Sequence, residues 1–194
     1  MTSLLVNHIL QTEKWTSPEL FETKNRIYTF LNPVSYLIAL ENKSLFKQFD
    51  GIFADGSLLV SAIRLVYGKR VTRRSFDMTS LAPELLNYLM ESRKTLYIVA
   101  SGQEQVECSV RIFQEQYPKL RIAGFRNGYF SSDAEMNKEA SHIVELNPDF
   151  LIVGMGALMQ EKFLLKVKKM GYQGIGFTCG GFVHQTAMNR MHYY

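Results

Sequence analysis

The chain has 194 residues, 46% hydrophobic and 21% charged, with a formal net charge of +4. That composition fits a folded soluble protein of one ordinary domain, or two small lobes sharing a core, and argues against disorder. The excess of basic charge suits an anionic ligand or membrane surface, and falls short of the dense basic stripe of a nucleic-acid binder.

The predicted elements alternate apolar strands with amphipathic helices. RIYTFLNP (26–33) reads as a strand running into a turn, and VSYLIALENKSLFKQF (34–49) as a helix. GIFADG (51–56) is a short strand closed by Asp-Gly, followed by the helix SLLVSAIRLVYGK (57–69), which ends at Gly68. DMTSLAPELLNYLMESR (77–93) carries a cap region and an apolar stripe. In the second half, TLYIVAS (95–101), LRIAGFRNGYF (120–130), PDFLIVGMG (148–156) and GIGFTCGG (174–181) are strands with glycine-rich exits. Helices at QEQVECSVRIFQEQY (103–117), SSDAEMNKEASHIVELN (131–147) and MQEKFLLKVKKMG (159–171) separate them. Repeated strand–turn–helix units predict a Rossmann-like parallel sheet covered by helices on both faces, with a smaller N-terminal α/β lobe. The expected organisation is one α/β domain, with the lobe at about 1–92 and a second half at about 93–194.

Right-handed crossovers put the strand exits on one edge, where ligands bind in such sheets. SGQ (101–103), RNGYF (126–130), GMGALMQE (154–161) and TCGGF (178–182) fall there. Their small turns and helix N-termini expose N–H groups suited to phosphate, so Gly102, Gly128, Tyr129, Gly154, Gly156 and Gly180 are candidate ligand contacts. Each glycine also reads simply as a tight-turn residue. Asn32 and Asp55 follow apolar strands. Asp55 before Gly56 reads equally as a turn former. Arg74, Asp77, Gln160 and Glu161 are further candidate substrate contacts, although Arg74 and Asp77 also fit an ion pair capping the next helix, and Gln160 and Glu161 a first helical turn where a carboxylate meets the dipole.

Other classes find little support. Cys108 and Cys179 show no CxxC spacing, and His8, His142, His184 and His192 show no zinc pattern, so reduced, structural thiols and no metal site are expected. MTSLLVNHILQTEKW lacks the features of a signal peptide, and no run approaches the roughly 20 apolar residues of a membrane span. The end, MNRMHYY, falls inside a helical pattern and reads as a truncation.

TFLNPVSYLIA, FADGSLLV, YGKRVTRRSFDM, NGYF, PDFLIVGMGALMQE and GIGFTCGGF together resemble the WecG/TagA/CpsF family of glycosyltransferases (glycosyltransferase family 26), in order and spacing, over roughly residues 25–190. The resemblance implies transfer of an N-acetylmannosamine-type or related sugar from a UDP donor to a polyprenyl-diphosphate-linked sugar. The implied setting is bacterial surface or wall polysaccharide synthesis, with inversion in a single displacement. Asp55 takes the role of general base, and Asn32, Arg74 and Gln160 those of substrate contacts. Without a DxD carboxylate pair, helix N-termini and arginines rather than a metal are expected to stabilise the leaving diphosphate. Three positions depart from the pattern. Phe30 stands where a threonine is usual, with Thr29 one step earlier. RSFD (74–77) lacks a glycine. His184 replaces an aspartate, and reads either as a site residue or as a core histidine.

The family continues past residue 194 with a basic tail implied to close the site and dock the enzyme on the membrane. The expected location is therefore the cytoplasmic face of the cell membrane, peripherally attached, with self-association through any apolar patch the tail would cover. The rivals are another Rossmann-like enzyme using S-adenosylmethionine or NAD(P), disfavoured by the lack of GxGxxG with a following acid, and a non-catalytic sugar-nucleotide-binding assembly subunit.

Overall fold

The computed structural model describes residues 3–189, so the end at MNRMHYY lies largely outside the described residues. Six strands form one parallel sheet: β1 (Arg26–Leu31), β2 (Gly51–Ala54), β3 (Thr95–Ala100), β4 (Arg121–Arg126), β5 (Phe150–Gly154) and β6 (Ile175–Thr178). The spatial order is β2-β1-β6-β5-β3-β4. The described residues before 93 supply only β1 and β2, and β1 pairs directly with β6 (Ile27 opposite Gly176). The N-terminal part therefore extends the common sheet and forms no sheet of its own.

Side chains alternate across each strand, so the sheet feeds two cores. On one face Tyr28, Ile98, Ile152 and Phe177 pack against α2 (Ser17–Glu22), α6 (Leu81–Ser92), α7 (Gln103–Gln116) and α10 (Phe182–Asn189). On the other face Ile27, Val99 and Leu151 meet α1 (Leu4–Thr12), α3 (Pro33–Glu41), α4 (Lys43–Phe46), α5 (Ser57–Tyr67), α8 (Asp133–Leu146) and α9 (Met159–Lys169). This burial on both sides explains the unbroken apolar runs of β3 and β5. β4 lies at an edge, and alternates half-buried with exposed positions.

Two local features differ from the sequence expectation. Residues 3–22 form two helices where no element was expected. Ser3 caps the first by accepting from the Val6 N–H, and Thr16 and Glu19 cap the second, with Pro18 in its first turn. Thr12, at the end of α1, accepts the Ile52 N–H at 3.0 Å, so α1 satisfies part of the exposed edge of β2. The single helix expected over 34–49 breaks at Asn42, whose side chain donates to the Ile38 carbonyl while its backbone leaves helical angles.

The order places β4 on one side of β3 and β5 with β6 on the other. The order in which successive strands are added across the sheet reverses there, and the exit loops diverge to leave a crevice, the geometry in which open α/β sheets bind ligands.

Candidate active site

A cleft of about 1060 Å³ opens above the carboxyl ends of the strands. Its floor is built by glycine turns that touch one another. The Ser101 N–H donates to the Gly154 carbonyl, and the Gly128 N–H donates to the Ser101 carbonyl, binding the exits of β3, β4 and β5 together. A Cβ on Gly154 would meet the Gly180 carbonyl at 2.6 Å and Cys179 Sγ at 2.8 Å, so only glycine permits the β5 and β6 exits to lie this close. Gly156, by contrast, faces open space with a φ of +82°, and is required by the backbone rather than by neighbours.

The glutamine–glutamate pair explains how this floor is held. Glu161 is fully buried. One of its oxygens accepts from Thr29 Oγ1 at 2.9 Å and from Gln160 Nε2 at 3.0 Å, and the other accepts the Leu158 N–H at 2.7 Å. Thr178 donates in turn to Thr29, extending the network between β1, β6 and α9. Gln160 Oε1 accepts the Gly180 N–H at 3.2 Å, so the glutamine bridges the β5 and β6 exits. Burial pushes the Glu161 carboxyl above its ordinary range, and the donors from Gln160, Thr29 and Leu158 oppose that shift. Glu161 does not line the cleft. It fixes Gln160, which does.

Asp55 sits at the β2 exit on the opposite wall. Its carboxyl is raised by burial first, with Arg73 working the other way and Asp77 adding to the rise. Arg73 Nη2 lies 3.9 Å from Asp55 and 2.7 Å from Asp77. Burial works to raise Asp77 as well, but the hydroxyls of Thr79 and Ser75, the Thr79 N–H and Arg73 outweigh it and hold that carboxyl below its ordinary range. The two carboxylates therefore differ: Asp77 is a fixed anion anchoring Arg73, whereas Asp55 has the higher proton affinity. Asn32, at the β1 exit, accepts the Ser35 N–H and caps α3 at the same wall.

Of the other expected contacts, Gly102, Gly128, Tyr129 and His184 also line the cleft, as do Gly154, Gly156 and Gly180. His184 is exposed in the first turn of α10, which removes its reading as a core histidine. Arg74 is placed elsewhere. Its guanidinium donates to the Trp15 carbonyl at 2.9 Å and lies over the Phe53 ring. The expected Arg74–Asp77 ion pair is replaced by Arg73–Asp77, because consecutive residues of an extended segment face opposite ways. Thr29 turns into the buried network while Phe30 lines the cleft. Gln105 and Gln185, which the sequence pattern does not single out, also line the cleft. Their signal was a polar residue in the first turn of a helix after a glycine exit.

The chemistry of the cleft is asymmetric. One wall carries a carboxylate of raised proton affinity beside an arginine. The floor carries glycine turns and the N-terminus of α7, whose cap Gly102 offers no side-chain acceptor to its N–H groups. Burial pushes the Cys179 thiol up to about 12, so it is a packing group rather than a nucleophile. Among the described residues no three His, Cys, Asp or Glu converge as metal ligands, and no helix is long and apolar enough to cross a membrane.

Residues 9–190 match the description "Glycosyl transferase WecG/TagA/CpsF family". The chain is 31% identical over 97% of its length to a UDP-Gal:alpha-D-GlcNAc-diphosphoundecaprenol beta-1,4-galactosyltransferase of Shigella boydii, and spans 75% of that protein. It is 22% identical over 80% of its length to an N-acetylglucosaminyldiphosphoundecaprenol N-acetyl-beta-D-mannosaminyltransferase of Bacillus subtilis (strain 168), spanning 60% of it. A Staphylococcus aureus (strain NCTC 8325 / PS 47) protein of the same printed name is 26% identical over 62% of the chain, which spans 46% of that relative.

Proposed function

The chain belongs to the WecG/TagA/CpsF family of glycosyl transferases, and on that premise we propose that it transfers a hexose or N-acetylhexosamine from a UDP-sugar to a polyprenyl-diphosphate-linked sugar, with inversion and without a metal. Membership removes the methyltransferase and oxidoreductase alternatives. The observation that carries the proposal is the pairing, within one cleft, of Asp55 on one wall with the glycine floor and α7 N-terminus on the other side.

In this reading the donor diphosphate rests on the N–H groups of the floor, with Gln160 against the donor. Asp55 accepts the proton of the acceptor hydroxyl as its oxygen attacks the anomeric carbon, and the bond to the UDP oxygen breaks. Backbone N–H groups of the floor and the α7 N-terminus stabilise the charge that develops on the leaving diphosphate. The β linkages in the relatives' names, set against the α configuration usual in UDP-hexoses, support inversion. Galactose has the better claim as donor sugar than the N-acetylmannosamine expected from sequence, since the galactosyltransferase shares more identity over more of the chain. A lipid-linked acceptor of this class supports work at the inner face of the membrane.

The test is transfer from UDP-galactose and, separately, UDP-N-acetylmannosamine to a synthetic polyprenyl-diphosphate-linked N-acetylglucosamine, with and without EDTA. Transfer of one sugar that survives EDTA and disappears in Asp55→Asn supports the proposal. Full transfer by Asp55→Asn overturns the role of the base, and loss with EDTA overturns metal independence.

A further inference from the structure

α5 carries an apolar stripe on the wrong side for a core. Leu59 and Ile63 are buried, yet Leu58, Leu65 and Val66 are 69%, 88% and 69% exposed. With Ala62 they recur at helical spacing, so they form a continuous strip rather than scattered residues. On the adjoining α3, Val34 and Leu37 are also exposed, at 68% and 64%. Tyr36 of α3 and Tyr67 of α5 interact through their hydroxyls, which ties the two helices together.

Along α5 and the segment after it the charge has one sign, while α3 ends in the exposed Glu41. Residues 56–76 contain Arg64, Lys69, Arg70, Arg73 and Arg74, and no Asp or Glu. Arg73 is committed to Asp55 and Asp77, and Arg74 to the Trp15 carbonyl. Arg64, Lys69 and Arg70 are exposed and have no carboxylate partner among the described residues. The Glu13 carboxylate reaches the segment at the Thr72 N–H. An exposed aliphatic strip beside unpaired cations is the pattern of a helix that lies in the headgroup region of an anionic bilayer.

The placement also fits. α3 begins beside Asn32 and α5 beside Asp55, so the same two helices that carry the strip start at the acceptor wall of the cleft. From these observations we infer that the α3–α5 face, with Lys69 and Arg70, docks this chain on an anionic lipid surface and turns the Asp55 wall toward a membrane-held acceptor. The inference rests on the proposed acceptor class, and adds a docking surface within the body of the fold, independent of any tail.

Co-sedimentation of the 194-residue chain with vesicles of phosphatidylglycerol and phosphatidylethanolamine, against vesicles of phosphatidylcholine alone, tests it. Binding should favour the anionic vesicles and weaken as salt is raised. Two variants on exposed side chains, Leu65→Ser with Val66→Ser and Lys69→Glu with Arg70→Glu, should each lower vesicle affinity by about tenfold or more. Both should keep the wild-type melting temperature and UDP binding. Wild-type affinity in both variants, or no preference for anionic vesicles, overturns the inference. So does a Leu65→Ser/Val66→Ser variant that only converts a dimer to a monomer in sedimentation velocity, since the strip would then face a second copy. UDP binding is read separately, so loss of the docking surface leaves the glycosyltransferase reading standing, and loss of UDP binding strikes that reading alone.

Discussion

Asp55 and Glu161 are both carboxylates lifted by burial, but they face different tasks. Asp55 lines the cleft, and in the proposed reaction its proton affinity sets a catalytic limb: kcat/KM should fall as pH drops through a value above the ordinary 3.8. Arg73 opposes that rise, so Arg73→Gln should move the limb to still higher pH, whatever it does to the maximum. A pH–rate series on both proteins checks this, and a limb that stays in place would remove Arg73 from the control of the base. The sign for stability runs the other way. A raised folded-state pKa means the fold penalises the charged form, so at neutral pH Asp55 costs stability that is recovered only as pH falls through its pKa. Asp55→Asn should therefore melt no lower than wild type while losing roughly 10²–10⁴-fold in transfer. Glu161 is different, because its two oxygens satisfy three donors. Glu161→Gln turns an NH₂ toward one of them and should cost about 1–3 kcal/mol. UDP affinity should fall with it, since Gln160 and Leu158 lose their anchor. Thermal melts and UDP titration measure both effects. The positions of Asp55, Asn32 and Gln160 at strand exits were legible from the apolar runs before them. The choice between Arg73 and Arg74 was not, because adjacency in sequence does not say which of two neighbours faces a cleft. Glu161 was legible as a helix-start carboxylate, but its burial depends on Thr29 and Thr178, which are far away in the chain.

At the scale of elements, the turns that close β5 and β6 work as a unit, and their glycines are not equivalent. Gly154 sits where a Cβ would press on the Gly180 carbonyl, a backbone atom that cannot swing aside. Gly154→Ala should cost about 1–3 kcal/mol by overpacking and should part the two turns, weakening UDP binding as well. Gly156→Ala meets nothing in space and should cost only the strain of a positive φ, about 1 kcal/mol or a little more. Melting curves with UDP titrations on the pair separate crowding from strain, and equal effects would mean the close approach is not rigid. Sequence showed that both glycines follow a buried strand, yet could not rank them, since the contact involves a turn more than twenty residues away. The buried strands β3 and β5 were readable as unbroken apolar runs. α1 and α2 were harder, because one is nine residues long and the other six, and much of their definition comes from caps and from packing on the sheet.

For the whole molecule, the pairing of β1 with β6 decides how the cleft behaves. It joins the wall bearing Asp55 and Asn32 to the floor built by β3, β5 and β6. A ligand spanning wall and floor should therefore stabilise both parts of the chain together. Trp15, the only tryptophan in the sequence, stands in the N-terminal part, with its ring edge against Tyr28 of β1. Its fluorescence reports that part, whereas far-UV circular dichroism reports the helices throughout. UDP at about one hundred times its dissociation constant should add about 2.7 kcal/mol, which raises the melting temperature by about 5–10 °C for a chain of this size. Both probes should report the same midpoint and the same rise. A Trp15 transition that stays put while the dichroism moves would mean that the first 92 residues unfold on their own. The shared sheet would then be too weak to hold Asp55 against the glycine floor, and the proposed transfer would need the lipid surface to bring the two together.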